Sequence, residues 1–138
     1  HLAQNFCLLT GDEDLAATSY DVAVRSGLGR RMVSIRGIQM SVEKLRTDRE
    51  AALEKLAQVA EEAVRQDGAH AFVFGCLALT GMGEALTERI GLPVVDSAHC
   101  AVSLAESLVK MGLRYSRRTY AAPPVLPVKT ACDGHVCR

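Results

Sequence analysis

The run Ala69-His70-Ala71-Phe72-Val73-Phe74-Gly75 is apolar along nearly its whole length and lacks the alternation of a strand with one face in water. A run this short and this rich in β-formers is read as a strand buried on both faces, the kind found in the middle of a parallel sheet. The flanking segments agree. Upstream, Leu53, Leu56, Ala60, Ala63 and Val64 recur at helical spacing. They follow Thr47-Asp48-Arg49-Glu50, in which a hydroxyl at the cap and a carboxylate three residues on have capping-box spacing. Asp67-Gly68 ends that helix. Downstream, Thr80-Gly81-Met82-Gly83 leads into a short helix through Ile90. Gly91-Leu92-Pro93 is a turn and Val94-Val95-Asp96 a short strand. Ser97 is placed to cap a last helix whose buried face is Ala101, Leu104, Leu108 and Met111.

The first third of the chain repeats the alternation. Phe6-Cys7-Leu8-Leu9-Thr10 is a buried strand ending at Gly11. Asp12-Glu13-Asp14 then sets three acids at a helix start, where the helix dipole favours them. Leu15, Ser19 and Val22 form that helix's face, and Gly27 or Gly29 stops it. Met32 to Ile38 is a second strand with one wetter face. The order predicts an α/β fold, a three-layer parallel sheet with flanking helices. Ligands of such sheets bind outside the carboxyl ends of the strands. Three loops are thereby marked: after Thr10, after Gly75 and after Asp96. Residues 1–120 form the α/β lobe. Residues 121–138 hold three of the four prolines and no periodicity, and are expected to form a tail.

Charge and cysteine content narrow the function classes. Sixteen basic and 16 acidic side chains leave a net charge of zero, which argues against a nucleic-acid partner. No apolar run approaches the roughly 20 residues needed to span a bilayer, so no membrane partner is expected. Five cysteines at wide spacing do not make a disulfide framework, and reduced thiols point to the cytoplasm. His1 brings neither an initiator Met nor a signal-peptide layout.

Cys76 carries the most chemical information. It follows a buried strand and Gly75, and backbone N–H groups at such a turn favour an anionic sulfur. Gly75 admits a ligand close to the backbone, and the N–H groups of Leu77 and Ala78 are placed to bind a carboxylate or enolate oxygen. The plainer reading of Cys76 is a small buried hydrophobe at a strand end. Thr10 and Gly11 occupy the same edge, where the Thr10 hydroxyl is suited either to a substrate carbonyl or carboxylate or to loop capping. Asp96 is read as a helix cap or an orienter of loop backbone, and His99 as a helix-face residue. Cys7 is read as core and Cys100 as a packed helix residue. Cys132, His135 and Cys137 supply three zinc-type ligands where a structural site takes four, so no metal is expected. Arg114, Arg117 and Arg118 are basic residues at a helix exit, favoured there by the dipole.

The order Asp67-Gly68-Ala69, buried strand, Gly75-Cys76, Gly81-Met82, then Gly91-Leu92-Pro93-Val94-Val95-Asp96, resembles the aspartate/glutamate/hydantoin racemase superfamily, and within it the hydantoin racemase branch. Ala105-Glu106 and Gly112-Leu113-Arg114 are similar to the family's last helix and exit, and Phe6 to Thr10 to its mid-chain strand ending in Thr. The likeness covers roughly residues 5 to 120. Leu77-Ala78-Leu79-Thr80 departs from the branch, which more often carries Gly-Met close behind its Cys.

The resemblance implies one lobe of a pseudo-symmetric two-lobed fold, with the N-terminal half absent. It implies a cofactor-independent racemase or epimerase, in which two thiols on opposite faces of a carbon beside a carbonyl move its proton. Cys76 matches the second of those thiols. The expected partner is a small molecule with a carbonyl or carboxylate next to the reacting carbon. A lobe without its partner half exposes apolar surface, so a homo-oligomer is also expected. Two other functions stay open. One is a single-cysteine decarboxylase similar to arylmalonate decarboxylase, and the other a non-catalytic binding lobe.

Overall fold

The computed structural model describes residues 2–12 and 16–121. Glu13, Asp14 and Leu15, and the cluster Cys132, His135 and Cys137, lie outside the described residues. Four parallel strands form one sheet: β1 (Phe6–Thr10), β2 (Met32–Gly37), β3 (Ala71–Phe74) and β4 (Val94–Val95), in the order β2-β1-β3-β4. Between them run α1 (Ala16–Arg25), α2 (Val42–Thr47), α3 (Arg49–Asp67), a 3-10 turn over Leu77–Leu79, and α4 (Gly83–Ile90); α5 (Ser97–Lys110) follows β4. This is the parallel α/β architecture that the element order predicts.

Strand register sorts the side chains into two faces. Cys7 aligns with Phe72, and Phe72 with Val94. Leu8 aligns with Val73, and Val73 with Val95. Successive residues point to opposite faces, so the first row is the core row. Cys7, Leu9 and Phe72 are fully buried there, with Phe74 nearly so, against Leu56, Ala60 and Ala63 of α3 and Leu86 of α4. Small residues let α3 lie close on the sheet: Ala52, Ala57, Ala60 and Ala63 are all buried. Val64, predicted on that face, is exposed, because the buried stripe runs through Ala57 and Ala60 and leaves Val64 on its outer flank.

The second face is thinly covered. A cavity of about 340 Å³ separates α1 from the sheet, lined by Leu8, Val73 and Val95 below and by Ser19, Val22 and Ala23 above. Helix α1 buries no residue fully, although Ser19 and Val22 do face the sheet as predicted. Helix α5 departs further from expectation. Every residue from 99 to 110 is exposed, including Ala101, Leu104 and Leu108 of its predicted buried face, and Met111 beyond it. The amphipathic pattern is real, but no described element covers it.

Three local corrections concern caps and thiols. The long helix is capped by Asp48, whose Oδ1 accepts the Ala51 N–H at 3.2 Å. Thr47 instead closes α2, an added helix capped by Ser41, and its hydroxyl donates back to the Glu43 carbonyl at 3.0 Å. The last helix is capped by Asp96 rather than Ser97, since the longer carboxylate reaches two N–H groups, those of Ala98 and His99. Cys100 is exposed on α5 and not packed.

Candidate functional site

Strand order determines where a crevice opens. From β1 the chain moves outward to β2, and from β3 it moves the other way to β4. The loops after β1 and β3 therefore part, and in open α/β sheets ligands occupy the gap at such a switch point. β1 ends on Thr10, and the loop after it begins with Gly11. The loop after β3 begins with Gly75 and Cys76. The two sit side by side because the Gly75 N–H donates to the Leu9 carbonyl at 2.8 Å.

The β1 side of the gap is tied to its neighbours by backbone hydrogen bonds. Thr10 and Gly11 are buried. Their carbonyls accept the N–H groups of Ile38 (3.0 Å) and Met40 (3.1 Å), which extends the pairing with the β2 side past the strand end. A Cβ on Gly11 would lie 2.9 Å from Leu45 Cδ1 and 3.1 Å from the Met40 carbonyl oxygen, so only glycine fits without movement.

The β3 side carries the thiol. Cys76 is half-buried and packs against the core. It has extended backbone (φ −127°, ψ 127°) and leads into the 3-10 turn, with its carbonyl accepting the Leu79 N–H at 3.1 Å. As the first N–H groups of that turn, Leu77 and Ala78 have no intrahelical acceptor, and no bond from them is found among the described residues. Leu77 is 74% exposed, while Leu79 and Met82 anchor the loop in the core. The six sequence-predicted site residues thus stand at one sheet edge: Thr10 at the end of β1, Gly11 just after it, and Gly75, Cys76, Leu77 and Ala78 after β3.

The other thiols are elsewhere. Cys7 is fully buried in β1, and burial pushes its thiol above the ordinary value. Cys100 lies in the first turn of α5. Among the described residues, no group of three or more His, Cys, Asp and Glu side chains is placed to hold a metal ion.

Asp96 is more embedded than expected of a simple cap. It is buried, and its Oδ2 accepts the Gly81 N–H at 2.6 Å while His99 Nδ1 stands 3.5 Å away. Burial pushes the carboxyl up. The N–H groups of Gly81, His99 and Ala98, with the neighbouring His99 imidazole, outweigh that and hold it below the usual carboxylate range. Arg49, which the sequence did not single out, reaches the same loop and donates to the Thr80 carbonyl at 2.8 Å. No local pattern marks Arg49, since its acceptor lies 31 residues along the chain.

The cavity beneath α1 is a separate feature. Its lining does not include Cys76, and Arg31 is its one charged side chain among the described residues. No helix of the described residues is long and apolar enough to cross a membrane.

Comparison with known proteins adds independent findings. The family described as Asp/Glu/Hydantoin racemase matches residues 1–105. A hydantoin racemase of Paenarthrobacter aurescens is 36% identical over 105 residues, which are 75% of this chain and 44% of that protein. A hydantoin racemase of Pseudomonas sp. is 31% identical over 123 residues, 88% of this chain and 49% of that protein. Among solved structures, an allantoin racemase from Pseudomonas fluorescens superposes with a TM-score of 0.79 at 37% identity, over 92% of this chain and 55% of its own. An allantoin racemase from Klebsiella pneumoniae gives 0.78 at 27% identity, over 84% of this chain and 47% of its own. The chain spans about half the length of the relatives it matches.

Proposed function

We propose, from the premise that this chain belongs to the Asp/Glu/hydantoin racemase family, that it supplies one catalytic thiol, Cys76, to a racemase or epimerase of a hydantoin-like substrate. The observation that carries this reading is the juxtaposition at the β1/β3 switch point. A half-buried thiol stands on the loop after β3, beside the end of β1, and the two N–H groups that follow it have no acceptor among the described residues.

In this proposal the substrate's stereogenic carbon, which is next to a carbonyl, lies against Cys76. The sulfur takes the proton, and the C–H electron pair moves onto the carbonyl oxygen. The N–H groups of Leu77 and Ala78 stabilise that enolate oxygen, and the Thr10 hydroxyl orients the substrate from the β1 side. A second acid returns a proton to the opposite face, which inverts the centre. That acid is neither Cys7, buried in the sheet, nor Cys100, which faces solvent on α5. No metal or organic cofactor enters the scheme. Self-association belongs to the same proposal, because the exposed apolar side chains of α5 are the kind of surface that mediates contacts.

One observation favours a second reading. Among the described thiols, only Cys76 is half-buried at the crevice. A single thiol suffices for decarboxylation of a malonate, where loss of CO₂ generates the enolate and Cys76 protonates it. Polarimetry separates the two. Loss of optical rotation from an enantiopure 5-substituted hydantoin, cut by about 10²-fold or more in Cys76→Ser, supports the racemase. Release of CO₂ from an aryl malonate without racemisation of hydantoin supports the decarboxylase.

A further inference from the structure

The loop that follows Cys76 is gripped at a single peptide group. Thr80 C=O and Gly81 N–H belong to the same peptide unit. Arg49 Nη2, from the first turn of α3, donates to the carbonyl at 2.8 Å. Asp96 Oδ2, at the end of β4, accepts from the N–H at 2.6 Å. A cation and an anion from two different elements thus hold opposite ends of one planar unit; the Asp96 bond is partly buried and the Arg49 bond exposed, so the charge assistance is stronger on the Asp96 side. Surrounding details fit the grip. Gly81 has φ +84°, a left-handed conformation that glycine adopts without strain. A Cβ on Gly83 would lie 3.2 Å from Asp96 Cβ, so glycine there lets Asp96 come close.

The grip transmits directly to the thiol. Thr80 N–H donates to Leu77 O, Leu79 N–H to Cys76 O, and Met82 N–H to Leu79 O, all at 3.1 Å. Fixing the Thr80–Gly81 peptide therefore fixes the turn that presents Cys76 and the N–H groups of Leu77 and Ala78. We propose that Arg49 and Asp96 are positioning residues that clamp the Thr80–Gly81 peptide and so set the placement of Cys76 against substrate. The catalytic part of this proposal rests on the racemase reading given above.

The test uses Asp96→Asn and Arg49→Met. Asparagine is as good a helix cap as aspartate, so the variant keeps α5 capped while placing an amide NH₂ opposite the Gly81 N–H. Alkylation by iodoacetamide is followed peptide by peptide in the folded protein, with the exposed Cys100 as internal reference. Cys76 should react faster in both variants, by about fivefold, the change expected in a local opening equilibrium when one hydrogen bond is lost. Cys100 should be unchanged in Arg49→Met; in Asp96→Asn, where it lies one turn from the substituted cap, its own rate reports the size of the local field effect. The two substitutions remove charges of opposite sign, so a mere field effect on the thiol would move its rate in opposite directions. The double variant should show little more than the larger single effect, because both side chains act on one peptide. Unchanged Cys76 reactivity, opposite shifts, or multiplicative effects would overturn the clamp.

Racemisation of the enantiopure hydantoin is measured on the same samples and should fall in both variants. Faster alkylation with undiminished racemisation overturns the positioning role. If the unsubstituted protein exchanges no ring-carbon proton of the hydantoin in heavy water while the alkylation pattern holds, the racemase reading fails and the clamp stands.

Discussion

Gly75 donates its N–H to the Leu9 carbonyl at 2.8 Å, and this rung closes the ladder between β1 and β3 just before Thr10 on one strand and Cys76 on the other. It places the two loops of the crevice side by side. A Cβ on Gly75 would lie 2.7 Å from Leu8 Cδ2. Leu8 borders the cavity beneath α1 and has room to yield. Gly75→Ala is therefore expected to cost no more than about 1 kcal/mol in urea unfolding. On the proposed function, hydantoin racemisation should fall more than stability does, since the shift occurs beside Cys76.

Gly11→Ala should behave differently. Its added methyl meets Leu45, which is fully buried, and the Met40 carbonyl, which is backbone. Neither neighbour has an adjoining void among the described cavities, so the strain stays in the core. A loss of about 1–3 kcal/mol is expected, as for other overpacked sites, and urea unfolding against Gly75→Ala checks the contrast.

The Arg36 guanidinium on β2 grips Asp67 at the end of α3, with Nε–Oδ2 at 2.7 Å and Nη2–Oδ1 at 3.0 Å. The pair is mostly shielded from water. Hydrogen bonding from Arg36 outweighs burial and holds the Asp67 carboxyl below its usual range, and Asp96 is depressed as well. Folded values below unfolded ones give stability that is complete above about pH 4 and lost as the pH falls through the depressed values. Arg36→Met is expected to lower stability at neutral pH by about 1–2 kcal/mol. It should also flatten the acid limb of the stability curve measured by urea unfolding from pH 7 to 2.

Leu104 and Leu108 are exposed on α5. If they mediate self-association, Leu104→Ser with Leu108→Ser should lower the sedimentation coefficient at micromolar concentration. Unfolding of the dissociated chain should change by no more than about 0.5 kcal/mol, as for other surface sites. A wild-type sedimentation coefficient that is already monomeric would remove the association from the account.

Much of the fold was legible because parallel strands announce themselves. The apolar run through Phe72 and Phe74, the glycine stop at Gly68, and the turn at Gly91 each reflect a local physical demand, and each occurs where expected. The candidate edge was legible in outline, because the carboxyl edge of a parallel sheet follows from element order alone, and Thr10, Gly11, Gly75 and Cys76 stand along it. Helix α2 was not, since six residues behind Ser41 give too short a pattern to display a period. The cap moved from Thr47 to Asp48 because adjacent residues both offer a capping oxygen and only the geometry of the α2–α3 junction chooses between them. The face of α5 was misjudged for a different reason. Periodicity reports that a helix has an apolar side, not that the same chain covers it. Arg49 and Asp96 meet on one peptide only in three dimensions, so neither spacing nor composition could pair them.

The role proposed for Cys76 is to move a proton at a carbon next to a carbonyl. Deuterium incorporation at the ring carbon of a 5-substituted hydantoin in heavy water, followed by proton NMR, reads that step itself. Rapid incorporation is expected with the unsubstituted protein, with a loss of about 10²-fold or more in Cys76→Ser. Incorporation that continues unchanged in Cys76→Ser, with the variant folded, would contradict it.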